Sequence, residues 1–342
     1  MAQSSIPARF GSAVRRAARR RPVPIGLVLL LVAGALTGWW LSSTASPGYP
    51  KGEIGFSTGV QRGVYDRYGQ LLRGYVSTAM PGVRMRLDNS QGSVDNLERV
   101  AAGQDDFAIA TADSVAGFNS PSKWRLRAIA RLYDDYLQLV VPADSKVRRT
   151  ADLRGLRVGV GQEKSGVNLV TRKLLAAAGL NIDKDIRPAM LGVGDAADQL
   201  RDGRIDAFFW SGGLPTNALT DLSERYRIRI VPLADLAEAL HQQEGGGGTD
   251  AYRAATIPKD AYPRAEPAGT AVATVAVPNL LVTRDDVDPD LVQGVTRAVI
   301  DSRDTIGSQV HAAQLVDLRT AVYTDPLPLH EGARRYYTSI KP

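Results

Sequence analysis

The chain has 342 residues, room for two domains of ordinary size, and no Cys. The lack of Cys excludes disulfides, a thiol nucleophile, a thiolate metal site and a lipoprotein anchor. The net charge of +6 is no nucleic-acid signal: Arg9, Arg15, Arg16, Arg19, Arg20 and Arg21 stand in a stretch without acids, and the remaining 36 Lys and Arg balance 36 Asp and Glu.

That basic segment, 1–22, precedes an uncharged run, 23–41, ending in Trp39 and Trp40. Positive charge ahead of an apolar run holds the N-terminus in the cytoplasm. The run approaches the roughly 20 residues of a spanning helix and exceeds the roughly 7–15 of a signal-peptide core. Ser43-Thr44-Ala45 offers a cleavage site, so the segment reads as a signal-anchor first and a removed signal second. Either sends the rest of the chain outside the cytoplasm. Residues 42–50 form a Ser/Pro/Gly linker.

Glu53 to Phe56 reads as a short strand. The loop Ser57-Thr58-Gly59-Val60-Gln61-Arg62-Gly63 follows, then a helix with Val64, Tyr68, Leu71, Leu72 and Tyr75 on one face. Val83, Met85 and Leu87 alternate as a strand, and Ser93 heads a helix that Gly103 stops. Phe107 to Ala110 is a buried strand ending at Thr111. Leu126–Leu132 and Leu137–Val141 read as two strands joined by Tyr133-Asp134-Asp135-Tyr136, with those acids as solvated loop charges.

Leu156 to Val160 reads as a strand. The polar loop Gly161-Gln162-Glu163-Lys164-Ser165 leads from it into a helix carrying Val167, Val170, Leu174 and Leu175, with Gly179 at its end. Ser165 is a good N-cap. The N–H groups behind it lack intrahelical partners and attract an anion or a carboxylate. An ordinary capped loop that binds nothing is the alternative. Met190–Val193 reads as a strand, Asp195 starts a helix, and Ile205–Trp210 is a strand running into Ser211-Gly212-Gly213. Gly245–Gly248 is a flexible insertion. Leu291–Ile306 reads as one amphipathic helix, and a short helix ends the chain.

The chain repeats itself. Val100, Gly103 and Asp106 match Leu200, Gly203 and Asp206 one hundred positions on, and Leu71-Leu72 matches Leu174-Leu175. Two similar α/β lobes are expected, with their Gly-rich loops at strand C-terminal ends, where open sheets bind ligands. An enzyme reading has little to stand on. No Gly-x-Gly-x-x-Gly follows Gly159, and His241, His311 and His330 lie near no nucleophile signature. No cofactor is expected.

Several stretches, in order, resemble a TAXI-type solute receptor, the extracytoplasmic binding subunit of a TRAP transporter. They include Ser57-Thr58-Gly59, Gly92-Ser93-Val94-Asp95-Asn96-Leu97, Leu126 to Tyr133, Ala151-Asp152-Leu153-Arg154-Gly155, Gly213-Leu214-Pro215-Thr216 and Val277-Pro278-Asn279-Leu280. The resemblance runs from about Gly52 to Tyr337. It implies a two-lobed type II periplasmic-binding-protein fold, with lobe 1 at 51–142 plus 273–342, lobe 2 at 143–272, and a hinge around Pro142 and Ala273–Val277. It further implies closure on a glutamate-like amino acid or dicarboxylate and delivery to a TRAP permease. A membrane-anchored ligand sensor is the alternative.

The candidate ligand-binding residues are Ser57, Thr58, Gly59, Arg62, Tyr65, Ser90, Thr111, Tyr133, Lys164, Ser165, Gly166, Val167, Asn168, Trp210 and Gly212. At Lys164 the family tends to carry Gly, at Val167 Thr and at Thr111 Gln. Arg62 and Lys164 are either holders of an extra carboxylate or solvated loop charges. Tyr65, Tyr133 and Trp210 are either ligand walls or core aromatics, and Ser90 either donates to a ligand or caps a turn.

Overall fold

Two long antiparallel strands, Leu126–Pro142 and Val272–Arg284, run through the middle of one mixed sheet and tie its halves together. The computed structural model describes residues 49–243, 251–310, 312–313 and 316–340, together with Val32 and Gly34. The basic segment 1–22, nearly all of the apolar run 23–41, most of the linker, the tetraglycine at 245–248 and His311 lie outside the described residues. Among the described residues no helix is long and apolar enough to cross a membrane. Tyr49–Pro342 forms one compact unit.

In chain order the elements are β1 (Gly52–Gly59), α1 (Val64–Ala79), β2 (Val83–Asn89), α2 (Ser93–Ala102), β3 (Phe107–Thr111), α3 (Ala112–Gly117) and β4 (Leu126–Pro142). Next come β5 (Arg157–Gly159), α4 (Gly166–Ala177), β6 (Arg187–Ala189), α5 (Val193–Arg201), β7 (Ala207–Gly212), α6 (Asn217–Arg225) and β8 (Ile228–Val231). The chain ends with α7 (Ala237–Gln243), β9 (Arg253–Ile257), β10 (Val272–Arg284), α8 (Pro289–Asp301), α9 (Arg303–Gln309) and α10 (Glu331–Ser339). The strand order is β2-β1-β3-β10-β4-β7-β5-β6, with β8 on β4 and β9 on β10. The outer strands pair in parallel and β4 and β10 pair antiparallel.

Strands covered by helices on both faces bury near-continuous apolar runs. Accordingly, four hydrophobic clusters fall into two pairs. Phe56, Leu72, Ile109, Ile129 and Leu281 share one core, with Leu97, Ala128 and Leu280 in the cluster beside it. Leu139, Leu153, Leu175 and Val275 share another, paired with the cluster of Val140, Leu200, Phe208 and Trp210. Both long strands change cores partway. In β4 the change falls between Tyr133 and Leu137, and in β10 between Val277 and Leu280, at a register shift beside Pro278. The architecture is the two-lobed, mixed α/β periplasmic-binding-protein fold.

The hundred-residue echo has a physical basis. Gly103 and Gly203 both adopt left-handed conformations after their helices, with φ of +74° and +66°. The turns deliver Asp106 and Asp206 to equivalent places. Asp106 Oδ2 accepts Gly55 N–H at 2.9 Å, and Asp206 Oδ2 accepts Arg157 N–H at 2.8 Å. Each carboxylate thus clamps the neighbouring parallel strand of its own lobe.

Three sequence expectations are corrected. Residues 126–142 are one strand, not two: Asp134 is held inside β4 by Arg131, at 2.8 Å, and by Arg253 from β9, while Asp135 turns to the other side. The strand expected at Met190–Val193 sits at Arg187–Ala189, paired with β5, and Val193 already opens α5. The helix expected over Leu291–Ile306 breaks at Ser302, whose buried hydroxyl bonds back to Val299 O at 3.2 Å.

Candidate functional site

The starts of α2 and α4 meet at the C-terminal end of β3, at Thr111. Ser165 caps α4 as its sequence predicts, its Oγ accepting Asn168 N–H at 3.0 Å. The loop before it turns through Gly161 at φ +80°, where an added Cβ would lie 2.7 Å from Val167 Cβ, so the turn needs Gly. At the other lobe Ser93, the first residue of α2, accepts Thr111 N–H at 3.2 Å. The two helix starts are nearly in contact. A Cβ on Gly166 would stand 3.0 Å from both Ser93 Oγ and Thr111 Oγ1, and one on Gly92 would stand 3.1 Å from Ser165 Cβ.

Three polar contacts bridge the lobes beside this point. Asp95 N–H donates to Lys164 O at 3.0 Å, Lys164 N–H to Gln91 Oε1 at 3.2 Å, and Lys164 Nζ pairs with Glu98 at 2.7 Å. The halves are therefore drawn together. Between them lies a cavity of about 50 Å³, far below the roughly 300–1,000 Å³ of a drug-sized site, so a small solute fits its scale.

Of the candidates, Thr58, Gly59, Tyr65, Thr111, Ser165, Gly166, Val167, Trp210 and Gly212 line this cavity. The Gly166 and Val167 N–H groups have no acceptor within their helix, which makes that wall anion-attracting. The other candidates lie elsewhere. Ser57 donates to Asp105, Ser90 to Asn96, and Asn168 Nδ2 donates to Val160 O at 3.2 Å. Tyr133 packs against Tyr68, ring centroids 5.9 Å apart. Arg62 lies 3.7 Å from Asp221, both well exposed, and Lys164 holds Glu98 on the surface.

Among the wall residues absent from the candidates are Asp135, Ser93 and Ser211. Asp135 is 3% exposed. Burial pushes its carboxyl up to about 7, the nearby Asn279 amide opposing and the Asp113 charge adding to the rise. Among the described residues neither Asp135 Oδ1 nor Ser211 Oγ has a hydrogen-bond partner. Tyr65 connects the two ends of the site: its hydroxyl meets Ser93 Oγ at 3.2 Å and donates to Asn279 Oδ1. Burial, and then the charge of Asp135, push the Tyr65 hydroxyl well above its usual range, so it stays a protonated donor. The available sequence signal was an acid pair set between two tyrosines and two apolar runs, a poor composition for a loop.

Among solved structures, the chain is similar to a protein from Bordetella bronchiseptica RB50, with 18% identity and a TM-score of 0.51 over 85% of this chain and 90% of that one. It is also similar to a putative L-cystine ABC transporter from Listeria monocytogenes, with 16% identity and a TM-score of 0.47 over 78% and 98% of the two chains. A third is the alkanesulfonate-binding protein SsuA from Xanthomonas axonopodis pv. citri bound to MOPS, with 16% identity and a TM-score of 0.46 over 86% of each. The sequence profile of the NMT1-like family matches residues 56–340, and with that span covering both lobes and every wall of the cavity, the chain belongs to the NMT1-like family.

Proposed function

We propose that the protein is the extracytoplasmic solute-binding receptor of a TRAP-type secondary transporter, tethered by its N-terminal segment. Its lobes close on a small carboxylate-bearing solute, which is handed to a membrane permease. The observation that carries this reading is a cavity walled by the starts of two long helices, one from each lobe, with the lobes touching beside it. Such a wall offers N–H donors and dipole charge to an anionic group. The ordered motifs that resemble TAXI receptors support the transporter type. The lobe bounds shift inward from 142 and 273 to where β4 and β10 change cores, which makes lobe 1 51 to about 134 with 279–342, lobe 2 the stretch between, and that change the hinge.

Thermal unfolding of the full chain against amino acids, dicarboxylates, sugars and nucleotides tests this. A cognate acid at a hundred times its dissociation constant adds about 2.7 kcal/mol of stability, a shift of several degrees. A panel in which no small acid moves the transition overturns the reading.

Arg62 is expected to contribute little. Its pairing with Asp221 is exposed on both sides, and such pairs are worth up to about 1 kcal/mol. Arg62→Ala therefore changes affinity for the stabilising acid by less than about fivefold in calorimetric titration. A loss of a hundredfold would put the guanidinium on the solute.

A further inference from the structure

The fold buries four aspartates: Asp105, Asp113, Asp134 and Asp135. Three have a cation or a hydroxyl donor, whereas Asp135 has the Asn279 amide alone nearby. Asp105 takes the Ser57 hydroxyl and lies 3.3 Å from Arg86, Asp113 takes the Tyr252 hydroxyl at 2.6 Å and Ser114 N–H at 2.7 Å, and Asp134 lies between Arg131 and Arg253. Asp135 has no ion pair among the described residues, and its Oδ1 has no hydrogen-bond partner. It is also the one of the four that lines the cavity, whose wall includes the equally unpartnered Ser211 hydroxyl.

A buried carboxylate without a cation is expensive and holds its proton more tightly, and one that faces a cavity is open to a cationic partner there. We propose that Asp135 receives the ammonium group of the solute, so that the site selects a zwitterionic amino acid over a dicarboxylate. This rests on the solute-receptor reading above. The two ends of the site differ in sign. The α4 start offers N–H donors to a carboxylate, and Asp135 offers an acceptor to a cation, with Tyr65 hydrogen-bonded between Ser93 and Asn279 along the way. A second carboxylate on the solute would be driven against Asp135, whereas an ammonium would satisfy it.

Calorimetric titration of the full chain with matched pairs tests this: alanine against propionate, glutamate against glutarate, and ethylammonium as a cation without a carboxylate. The wild type is expected to prefer the amine-bearing member of a pair by at least tenfold, and Asp135→Asn to abolish that preference while unfolding at no lower temperature than the wild type. Asp135→Glu, which keeps the charge, is expected to retain part of it. Glutarate or propionate binding as tightly as its amino partner, or a preference that survives in Asp135→Asn, overturns the assignment and leaves the carboxylate reading standing. Binding of ethylammonium without any acid, lost in Asp135→Asn, upholds Asp135 and overturns the carboxylate reading. Binding of none of these overturns both.

Discussion

Asp135→Asn is expected to stabilise the unliganded protein at pH 8 by about 4 kcal/mol and to leave it nearly unchanged at pH 4. The Asp135 carboxyl is pushed up to about 7 in the fold by burial, against roughly 4 in an unfolded chain. Between those values the folded state binds more proton than the unfolded one, so the contribution of this group to stability falls as pH rises. It is intact below about pH 4, is lost progressively up to about pH 7, and stays lost above that. A displacement of this size corresponds to about 4 kcal/mol, or on the order of 5–10 °C in a chain of this length. Of the groups facing Asp135, Tyr65 and Tyr133 are raised by burial and by this very charge, and do not titrate in the window. Asp105 is raised by burial as well, and His330 lowered by it, so the wild-type profile is composite. The difference between wild type and variant isolates Asp135. Equal melting temperatures at pH 8 would show that the carboxyl is solvated or paired after all. The stabilised variant and the solute-blind variant are then the same protein, the pattern expected where a binding group is held at a cost to the fold.

What could be read from the sequence was local. Ser165 capping α4 and the turns at Gly103 and Gly203 follow from residues a few positions apart, whereas the repeat of Asp106 at Asp206 was legible only as a pattern, because the strands these carboxylates clamp lie far off in the chain. The loops at the ends of β1 and β5 were legible for the same reason. What could not be read depends on distant partners. Asp134 stays inside a strand because Arg253 arrives from β9, more than a hundred residues later. Taken alone, the acid pair looked like a solvated turn, and that reading hid both the continuity of β4 and the carboxylate in the cavity wall. Arg62 and Lys164 read equally well as ligand charges or as solvated loop charges, because the acids that meet them on the surface, Asp221 and Glu98, are distant in the chain. Ser93 was legible as a helix start but not as a neighbour of Gly166, since the approach of the two lobes sets that contact.

Gly166→Ala is expected to spare the fold and remove solute binding. Gly166 is the first residue of α4, and its φ is not in the left-handed region. There Ala is the better helix former by up to about 1 kcal/mol, so the lobe itself is not weakened. The obstacle lies across the cleft. The new Cβ would stand 3.0 Å from Ser93 Oγ, 3.0 Å from Thr111 Oγ1 and 3.3 Å from Ser114 Oγ, all belonging to the opposite lobe. Those hydroxyls are not free to step aside, because Ser93 accepts Thr111 N–H at 3.2 Å and Thr111 bonds Ser114 at 2.7 Å. A methyl group there holds the lobes apart by about a few tenths of an ångström. The Asp95 N–H to Lys164 O bridge at 3.0 Å is stretched as a result, along with every contact a solute makes to both lobes at once. Affinity for the stabilising solute is expected to fall at least a hundredfold, while unliganded unfolding stays within about 1 kcal/mol of wild type. Small-angle scattering supplies the independent readout: saturating solute contracts the wild type and leaves Gly166→Ala at its unliganded radius. Tight binding by Gly166→Ala with normal contraction would mean that the helix starts are not drawn this close in the liganded protein, and that the solute is held by one lobe alone.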